Sequence, residues 1–136
     1  MLRSRFGRSL VALCASAFVL FRAAPAVFAG ADQVSKPFAG AKVNGGTVTL
    51  ARNGNAVTLT LSGDFKVPDT PDPHWQVVDA NGTVYLLQRL AIKGDRVNTT
   101  ITLPSYVKSV AKVQIYCAWA EVVLGEAPFA QTATTN

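Results

Sequence analysis

Apolar and polar side chains alternate with a period of two in the middle of the sequence. In 47–50 and again in 57–62, Val or Leu occupies every second position and Thr or Ser the positions between. This period places the two sets of side chains on opposite faces of a β-strand, so both segments are predicted to be half-buried strands. Between them lies Asn53-Gly54, a dipeptide that favours the positive φ angles of a tight turn. The sequence therefore predicts a β-hairpin here.

The rest of the chain has the same character, with short apolar segments separated by turn residues such as Asn81-Gly82. Pro68, Pro71 and Pro73 exclude a regular helix or central strand over 66–73, which is predicted to be a surface loop. The further predicted strands are 75–78, 84–90, 97–103, 110–119 and 121–124. None of these segments has a 3.6-residue apolar period. The predicted fold class is therefore all-β: a single small antiparallel β-sandwich or barrel-like domain.

The first 31 residues have the three-part layout of a secretory signal peptide. Three arginines precede an apolar run over 10–21, and small residues follow as far as Ala31. The apolar run of about twelve residues is shorter than the ~20 that a membrane-spanning helix needs. Cleavage is predicted after Ala29 or after Ala31. This gives an exported protein, periplasmic or extracellular; a retained N-terminal anchor is the alternative.

Removal of this segment changes the charge of the chain. The full sequence has 13 basic and 8 acidic residues, and four of the basic ones lie in the predicted signal peptide: Arg3, Arg5, Arg8 and Arg22. The mature chain has no run of Lys or Arg that could bind phosphates, so a nucleic-acid-binding function is excluded. No further segment has the length and apolarity of a membrane span. The mature chain is predicted to consist of a short leader over 32–44, one domain over 45–130 and a frayed tail over 131–136.

Cys117 is the only cysteine of the predicted mature chain, because Cys14 lies in the signal peptide. In an oxidising compartment an odd cysteine is buried, reactive, ligated or paired with another chain. The alternation over 113–119 places Cys117 on the apolar face of its strand together with Trp119. Two interpretations follow: a small buried core residue, or a redox thiol or soft ligand.

His74 is the only histidine and lies at the edge of the Pro-rich loop, where solvent exposure is expected. One His and one Cys satisfy neither a structural zinc site nor a blue-copper site, so no metal site is predicted. Covalent c-type haem is excluded because the sequence has no Cys-x-x-Cys-His motif, and a non-covalent haem held by Cys117, His74 or both is left open. The aspartates around the loop are expected to form turns: Asp64, Asp69, Asp72 and Asp79.

Several landmarks, taken in order, resemble a DM13 domain over residues 45–129. They are Gly63-Asp64-Phe65, the Pro-Asp loop of 68–73, the strand led by Trp75, Leu103-Pro104, and Val113 to Cys117 followed by Gly125 to Phe129. The most specific feature is an aromatic residue directly before a cysteine in a late strand, with a glycine eight residues later. The chain departs from the family at Tyr116, where Trp is usual, and at Ala120, where an aromatic residue is expected.

The resemblance implies a β-rich extracytoplasmic domain for which a role in electron transfer is proposed. The hallmark cysteine of the family corresponds to Cys117 and is suggested to act as a bare thiol or to hold a prosthetic group such as haem. The leading functional expectation is therefore an exported redox module that uses Cys117 as a redox thiol or haem ligand and exchanges electrons with a separate partner protein. The alternative is a non-catalytic binding or adhesion module with Cys117 in its core and the Pro-rich loop as its contact surface.

Overall fold

The computed structural model describes residues 31–90, 92–93, 96–97 and 99–135, with the backbone alone at 92–93 and 96–97. Residues 1–30, which carry almost all of the predicted signal peptide, lie outside these ranges. The described residues form ten strands: β1 Gln33–Val34, β2 Val48–Asn53, β3 Ala56–Leu61, β4 Pro73–Val78, β5 Val84–Arg89, β6 Ile92–Lys93, β7 Arg96–Val97, β8 Thr100–Thr102, β9 Ser109–Cys117 and β10 Val122–Thr134. They contain no helix that is long and apolar enough to cross a membrane.

Two antiparallel four-stranded sheets carry the fold. The first sheet has the strand order β1-β2-β3-β8, the second has the order β10-β9-β4-β5, and β6 and β7 pair as a separate ribbon. The apolar core draws side chains from both sheets, such as Leu59 of the first and Val113 of the second, and both are fully buried. Burial of one such side chain contributes about 1.5–3 kcal/mol. The predicted all-β antiparallel sandwich is confirmed.

The β2–β3 hairpin forms where the alternating pattern predicts it. Asn53 pairs with Ala56, so the loop consists of Gly54 and Asn55, and Gly54 has a φ of +62°. Positive φ at the first loop residue is the type II′ pattern, which matches the twist of the flanking strands. The Val and Leu side chains of the pattern all face the core: Val48, Leu50, Val57, Leu59 and Leu61.

Segment 32–44 differs from the predicted leader because it is integrated into the sandwich. β1 pairs with β2, and the backbone N–H of Lys36 donates to the carbonyl oxygen of Pro128 in β10 at 2.8 Å. Phe38 and Val43 are buried in the core. Most residues of this segment are polar or small, and the two apolar side chains contact parts of the chain that are distant in sequence. A local sequence pattern does not show such contacts.

Segment 131–134 also differs from the predicted frayed tail. β10 continues to Thr134 after a register shift between Pro128 and Ala133, and Ala133 pairs with Val110 of β9. Ala133 is fully buried. The Thr- and Ala-rich composition predicted a frayed end. Burial of the small Ala133 side chain and pairing with β9 are sufficient to hold the segment in place.

Several predicted strand ends are displaced. β4 begins at Pro73, so this proline lies in a central strand and the predicted loop 66–73 is one residue shorter. β9 ends at Cys117, so the predicted continuation to Trp119 is wrong, and residues 118–121 form the turn into β10. The predicted strand 97–103 is divided between β7 and β8, and Asn98 lies outside the described residues. Strand ends are set by the turn that follows, and the apolar pattern does not encode them.

Candidate functional site

Cys117 lies at the end of β9, paired with Pro73 of β4 and Val122 of β10. Its side chain faces the core together with Val113 and Ile115, as the alternation predicts, and is 1% exposed. It is a free cysteine. A thiol in this position behaves as a small apolar residue, because no reagent reaches its sulfur without an opening of the fold.

His74, the other residue considered as a haem ligand, does not meet Cys117. His74 pairs with Tyr116 on β9, so by the two-residue period its side chain lies on the outer face of the second sheet, opposite to Cys117. The nearest lysine along β9, Lys112, also lies on the outer face, where its Nζ is 2.8 Å from Oε2 of Glu126. Among the described residues, no group of three or more His, Cys, Asp or Glu side chains could hold a metal ion.

The surroundings of Cys117 do not fit a haem. A haem iron has to come within bonding distance of the sulfur, and the Cys117 side chain is covered by core neighbours on both adjacent strands. The two cavities described below are lined by residues at the other end of β9. The structure therefore gives no support for the sequence expectation that Cys117 or His74 holds this group.

Two buried polar atoms near this end of β9 have no hydrogen-bond partner within the protein. Nε1 of Trp75 is one of them, and this side chain is fully buried on the inner face of β4, opposite Ile115 of β9. Oγ1 of Thr70 is the other, in the loop that leads into β4. An unpaired buried polar group costs about 1–3 kcal/mol, so both are exceptions that call for an explanation.

His74 differs from the expectation of an exposed side chain. It is 19% exposed, with Nδ1 3.1 Å from the carbonyl oxygen of Leu87 and Nε2 3.1 Å from Oδ1 of Asp72. The same carboxylate oxygen of Asp72 is 3.1 Å from Nε of Arg89. These contacts join the Pro-rich loop to β4 and β5, so His74 and Asp72 have a structural role.

Asp79 forms a turn, as the sequence analysis expected. Its Oδ1 accepts hydrogen bonds from the backbone N–H groups of Asn81 at 2.8 Å and Thr83 at 2.9 Å, and Oδ2 accepts one from the Tyr85 hydroxyl. Burial opposes ionisation, but the hydrogen bonds, led by that from Thr83, lower the pKa of Asp79 overall. An aspartate that satisfies two backbone donors in its own turn is a local cap.

A row of polar side chains crosses the outer face of the second sheet, and the sequence analysis did not identify it. Nε2 of Gln76 donates to Oε1 of Gln114 at 2.7 Å, and Nε2 of Gln114 donates to Oε2 of Glu126 at 3.1 Å. Both glutamines are buried although they face outwards. The hydrogen bond from Lys112, followed by that from Gln114, lowers the pKa of Glu126. The register of the three strands, which aligns these residues, could not be read from sequence.

The turn between β9 and β10 lies beside the Pro-rich loop. The backbone N–H of Ala118 donates to the carbonyl oxygen of Asp72 at 3.0 Å, and Glu121 has a φ of +54° in the left-handed region. Trp119 in this turn is 76% exposed, so its predicted place on the apolar face beside Cys117 is wrong. We call the exposed residues of the loop 66–72 and the turn 118–121 the tip surface.

Comparisons of the chain with protein-family models, with curated proteins and with solved structures found no match.

Proposed function

We propose that the chain is an exported, non-catalytic β-sandwich that binds a partner through its tip surface, with Cys117 as a core residue. Export rests on the layout of the first 31 residues, in which arginines precede a short apolar run and small residues. Binding at the tip surface rests on one observation: Trp119 is held in solvent on a turn that is fixed from both sides.

A largely exposed tryptophan leaves a large apolar side chain in water, and the fold gains little from it. Two contacts limit the freedom of the turn that carries Trp119: the hydrogen bond from Ala118 to Asp72, and the pairing of Cys117 with Val122 across its base. A preorganised aromatic side chain loses little entropy on binding, and tryptophan is enriched among the residues that dominate interface energies. Val122, half exposed next to the turn, extends the apolar contact.

Asp69 and Pro71 lie exposed on the neighbouring loop, which contacts the turn of Trp119 through the hydrogen bond from Ala118 to Asp72. The loop is anchored to the sheet by the contacts of Asp72 with His74 and Arg89. Exposed side chains on loops that a rigid scaffold holds in place are typical of binding surfaces. No catalytic group has to be placed there for this function.

Photo-crosslinking in the cells that export the protein tests this function. A photoreactive phenylalanine replaces Trp119 in one variant and Leu86, a half-exposed residue of β5, in a control variant. We expect a specific adduct from position 119 alone, competed by excess unlabelled protein but not by its Trp119→Ala variant. Equal adducts from both positions, or none that the wild-type protein competes, would contradict binding at the tip surface.

A second candidate is the redox module that the DM13 resemblance implies, with Cys117 as a bare thiol. Two buried polar atoms without partners favour it: Nε1 of Trp75, diagonal to Cys117 across β4 and β9, and Oγ1 of Thr70 in the loop before Asp72. Buried polar atoms without partners call for an explanation, and a redox role is one such explanation. Under this function the Pro-rich loop opens to expose the thiol to a separate partner protein.

An ultraviolet–visible spectrum of the protein, exported from a haem-competent host and recorded before and after reduction, distinguishes a cofactor-bearing module from a binding module. The proposed function predicts no absorption band in the visible region. A Soret band that shifts on reduction and is lost in the Cys117→Ser variant would replace binding with electron transfer as the function.

A further inference from the structure

A cavity of about 420 Å³ opens to solvent at the end of the sandwich that is remote from the tip surface. Lys108, which precedes β9, lies at its rim, whereas Cys117 ends the same strand. At ~3.3 Å per residue, β9 separates the two regions by roughly 26 Å. The volume is within the range of small-molecule sites, about 300–1,000 Å³. We call this cavity the end groove.

The end groove has an apolar floor and a polar rim. Val57, Leu103 and Val107 form the floor and belong to the buried core, so only a small part of each side chain faces the groove. Asn55 and Ser105 contribute polar groups at the rim. Small-molecule sites combine these features: apolar surface for affinity, and a few polar groups for orientation.

Backbone hydrogen bonds fix the walls of the end groove. The N–H of Leu103 donates to the carbonyl oxygen of Val57 at 2.8 Å, and the N–H of Val107 donates to that of Pro104 at 3.1 Å. On the remaining side, the N–H of Thr135 donates to the carbonyl oxygen of Lys108 at 3.0 Å. The groove is therefore formed before any ligand binds, which lowers the entropic cost of binding.

The described lining of the end groove carries a positive charge. Among the described residues Lys108 lines it, no acidic side chain does, and the Lys108 ammonium makes no ion pair. A smaller adjoining cavity of about 250 Å³ shares Asn55, Val57 and Thr135 with the groove and is lined by Arg52. A single ammonium group without a cluster of N–H donors suits a monoanion better than a phosphate, which needs several donors.

We propose that the end groove binds a small amphipathic carboxylate. Its hydrocarbon chain lies on the floor of Val57, Leu103 and Val107, and its carboxylate group pairs with Lys108 and reaches the rim hydroxyl of Ser105. The binding is non-covalent and independent of the tip surface, so it holds whether or not the proposed partner-binding function does.

Titration of the 15N-labelled protein with octanoate tests this site. We expect the amide resonances of 55–57, 102–103, 105–108 and 135 to shift together and saturably. Lys108→Met is expected to weaken octanoate binding about five-fold, the effect of one partly exposed charge contact. Lys66→Met, which removes an exposed lysine from the Pro-rich loop, is the matched control and leaves the affinity unchanged.

Two further measurements keep the proposal falsifiable. Ser105→Trp places a large side chain at the exposed rim and is expected to abolish the shifts without unfolding the protein, since Ser105 is exposed. Octylamine and 1-octanol replace octanoate to separate charge from apolar contact, and we expect both to bind more weakly. The proposal is overturned if octanoate shifts no resonance of the groove, or if Lys108→Met and Lys66→Met affect its binding equally.

Discussion

At the scale of single residues, Glu126 shows how a partly exposed carboxylate supports a buried polar row. Its Oε2 accepts hydrogen bonds from Lys112 at 2.8 Å and from Gln114 at 3.1 Å, while the side chain is 42% exposed. Gln114 is buried and also accepts a hydrogen bond from Gln76, so it depends on Glu126 for a partner to its own amide group. The folded state therefore favours ionised Glu126, and its pKa is lowered below 4.5, the ordinary value.

This predicts a pH-dependent contribution to stability. Because the folded pKa of Glu126 lies below the unfolded one, the stabilisation is fully present above pH ~4.5 and is lost as the pH falls through the lower folded pKa. Urea unfolding between pH 7 and pH 3 should show that Glu126→Gln destabilises the protein by under about 1 kcal/mol at neutral pH, given its exposure. The difference should shrink at low pH. Glu121→Gln controls for the loss of a carboxylate, and a difference for Glu126→Gln that stays constant down to pH 3 would contradict this account.

The two tryptophans are predicted to behave in opposite ways. Trp119→Ala should change the free energy of unfolding by no more than about 0.5 kcal/mol, because the side chain is mostly in water. Trp75→Ala should cost about 3–5 kcal/mol, because it empties a fully buried position on the inner face of β4. Urea unfolding measures both. Acrylamide quenching of the Trp119→Phe variant gives an independent check, since the remaining emission of Trp75 should be protected.

At the scale of elements, segment 32–44 packs closely against β10. Its backbone crosses β10 where Gly40 and Gly125 meet: a Cβ atom on Gly40 would lie 2.4 Å from Cα of Gly125. A Cβ atom on Gly125 would lie 2.5 Å from the carbonyl oxygen of Val43. Only glycine permits backbones to approach this closely. Segment 32–44 is therefore packed as tightly as a regular strand.

Gly125→Ala is predicted to destabilise the sandwich by about 1–3 kcal/mol, because the added methyl group meets backbone that cannot move without disturbing the crossing. Gly63→Ala is the matched control, since a Cβ atom there meets nothing within 4 Å and the position does not have a positive φ. Thermal unfolding should therefore separate the two variants clearly. Equal midpoints would mean that the crossing over β10 is loose.

The end of β10 gives a second prediction for an element. Ala133 is fully buried beside Val110, whereas the preceding Thr132 is exposed. Ala133→Asp should destabilise the protein by several kcal/mol, because it places an unpaired carboxylate in the core. Thr132→Asp should be close to neutral. If urea unfolding finds both substitutions neutral, the tail is frayed, as its composition suggested.

Local pattern predicted the elements whose burial alternates along a single strand. The β2–β3 hairpin follows from its Val/Leu and Thr positions because strand pairing and core burial obey the same two-residue period. The integration of segment 32–44 could not be predicted, since β1 pairs with β2 and the N–H groups of Lys36 and Val43 donate to β10, which lies far away in sequence. The burial of Ala133 could not be predicted for the same reason, because its partner Val110 precedes it by more than twenty residues.

At the scale of the whole molecule, the candidate site was predicted in part. The face of Cys117 was predicted correctly, because the residue lies within the regular part of β9. The place of Trp119 was predicted wrongly. The turn at 118–121 ends the alternation of buried and exposed residues, so the Trp119 side chain lies in solvent. The contact between this turn and the Pro-rich loop depends on how β4 lies beside β9, and no local feature of the sequence encodes that pairing.

The assembled sandwich separates three regions along one axis. The tip surface and Cys117 lie at one end of β9, the tip in solvent and the thiol in the core, and the end groove lies at the other end. Under the two proposals, recognition occurs at the ends of the sandwich, while its buried core provides stability. The central claim is therefore that Cys117 belongs to the core.

Alkylation of the native protein by N-ethylmaleimide, in a Cys14→Ala background, tests this claim most directly. If Cys117 is a core residue, labelling requires global unfolding and should be at least about 1,000-fold slower than in denaturant, as expected for a fold stable by about 5 kcal/mol or more. Its rate should then follow the unfolding equilibrium as urea is added. Labelling within about ten-fold of the unfolded rate would show a thiol reachable in the folded state, and this result would contradict the account and favour the redox module.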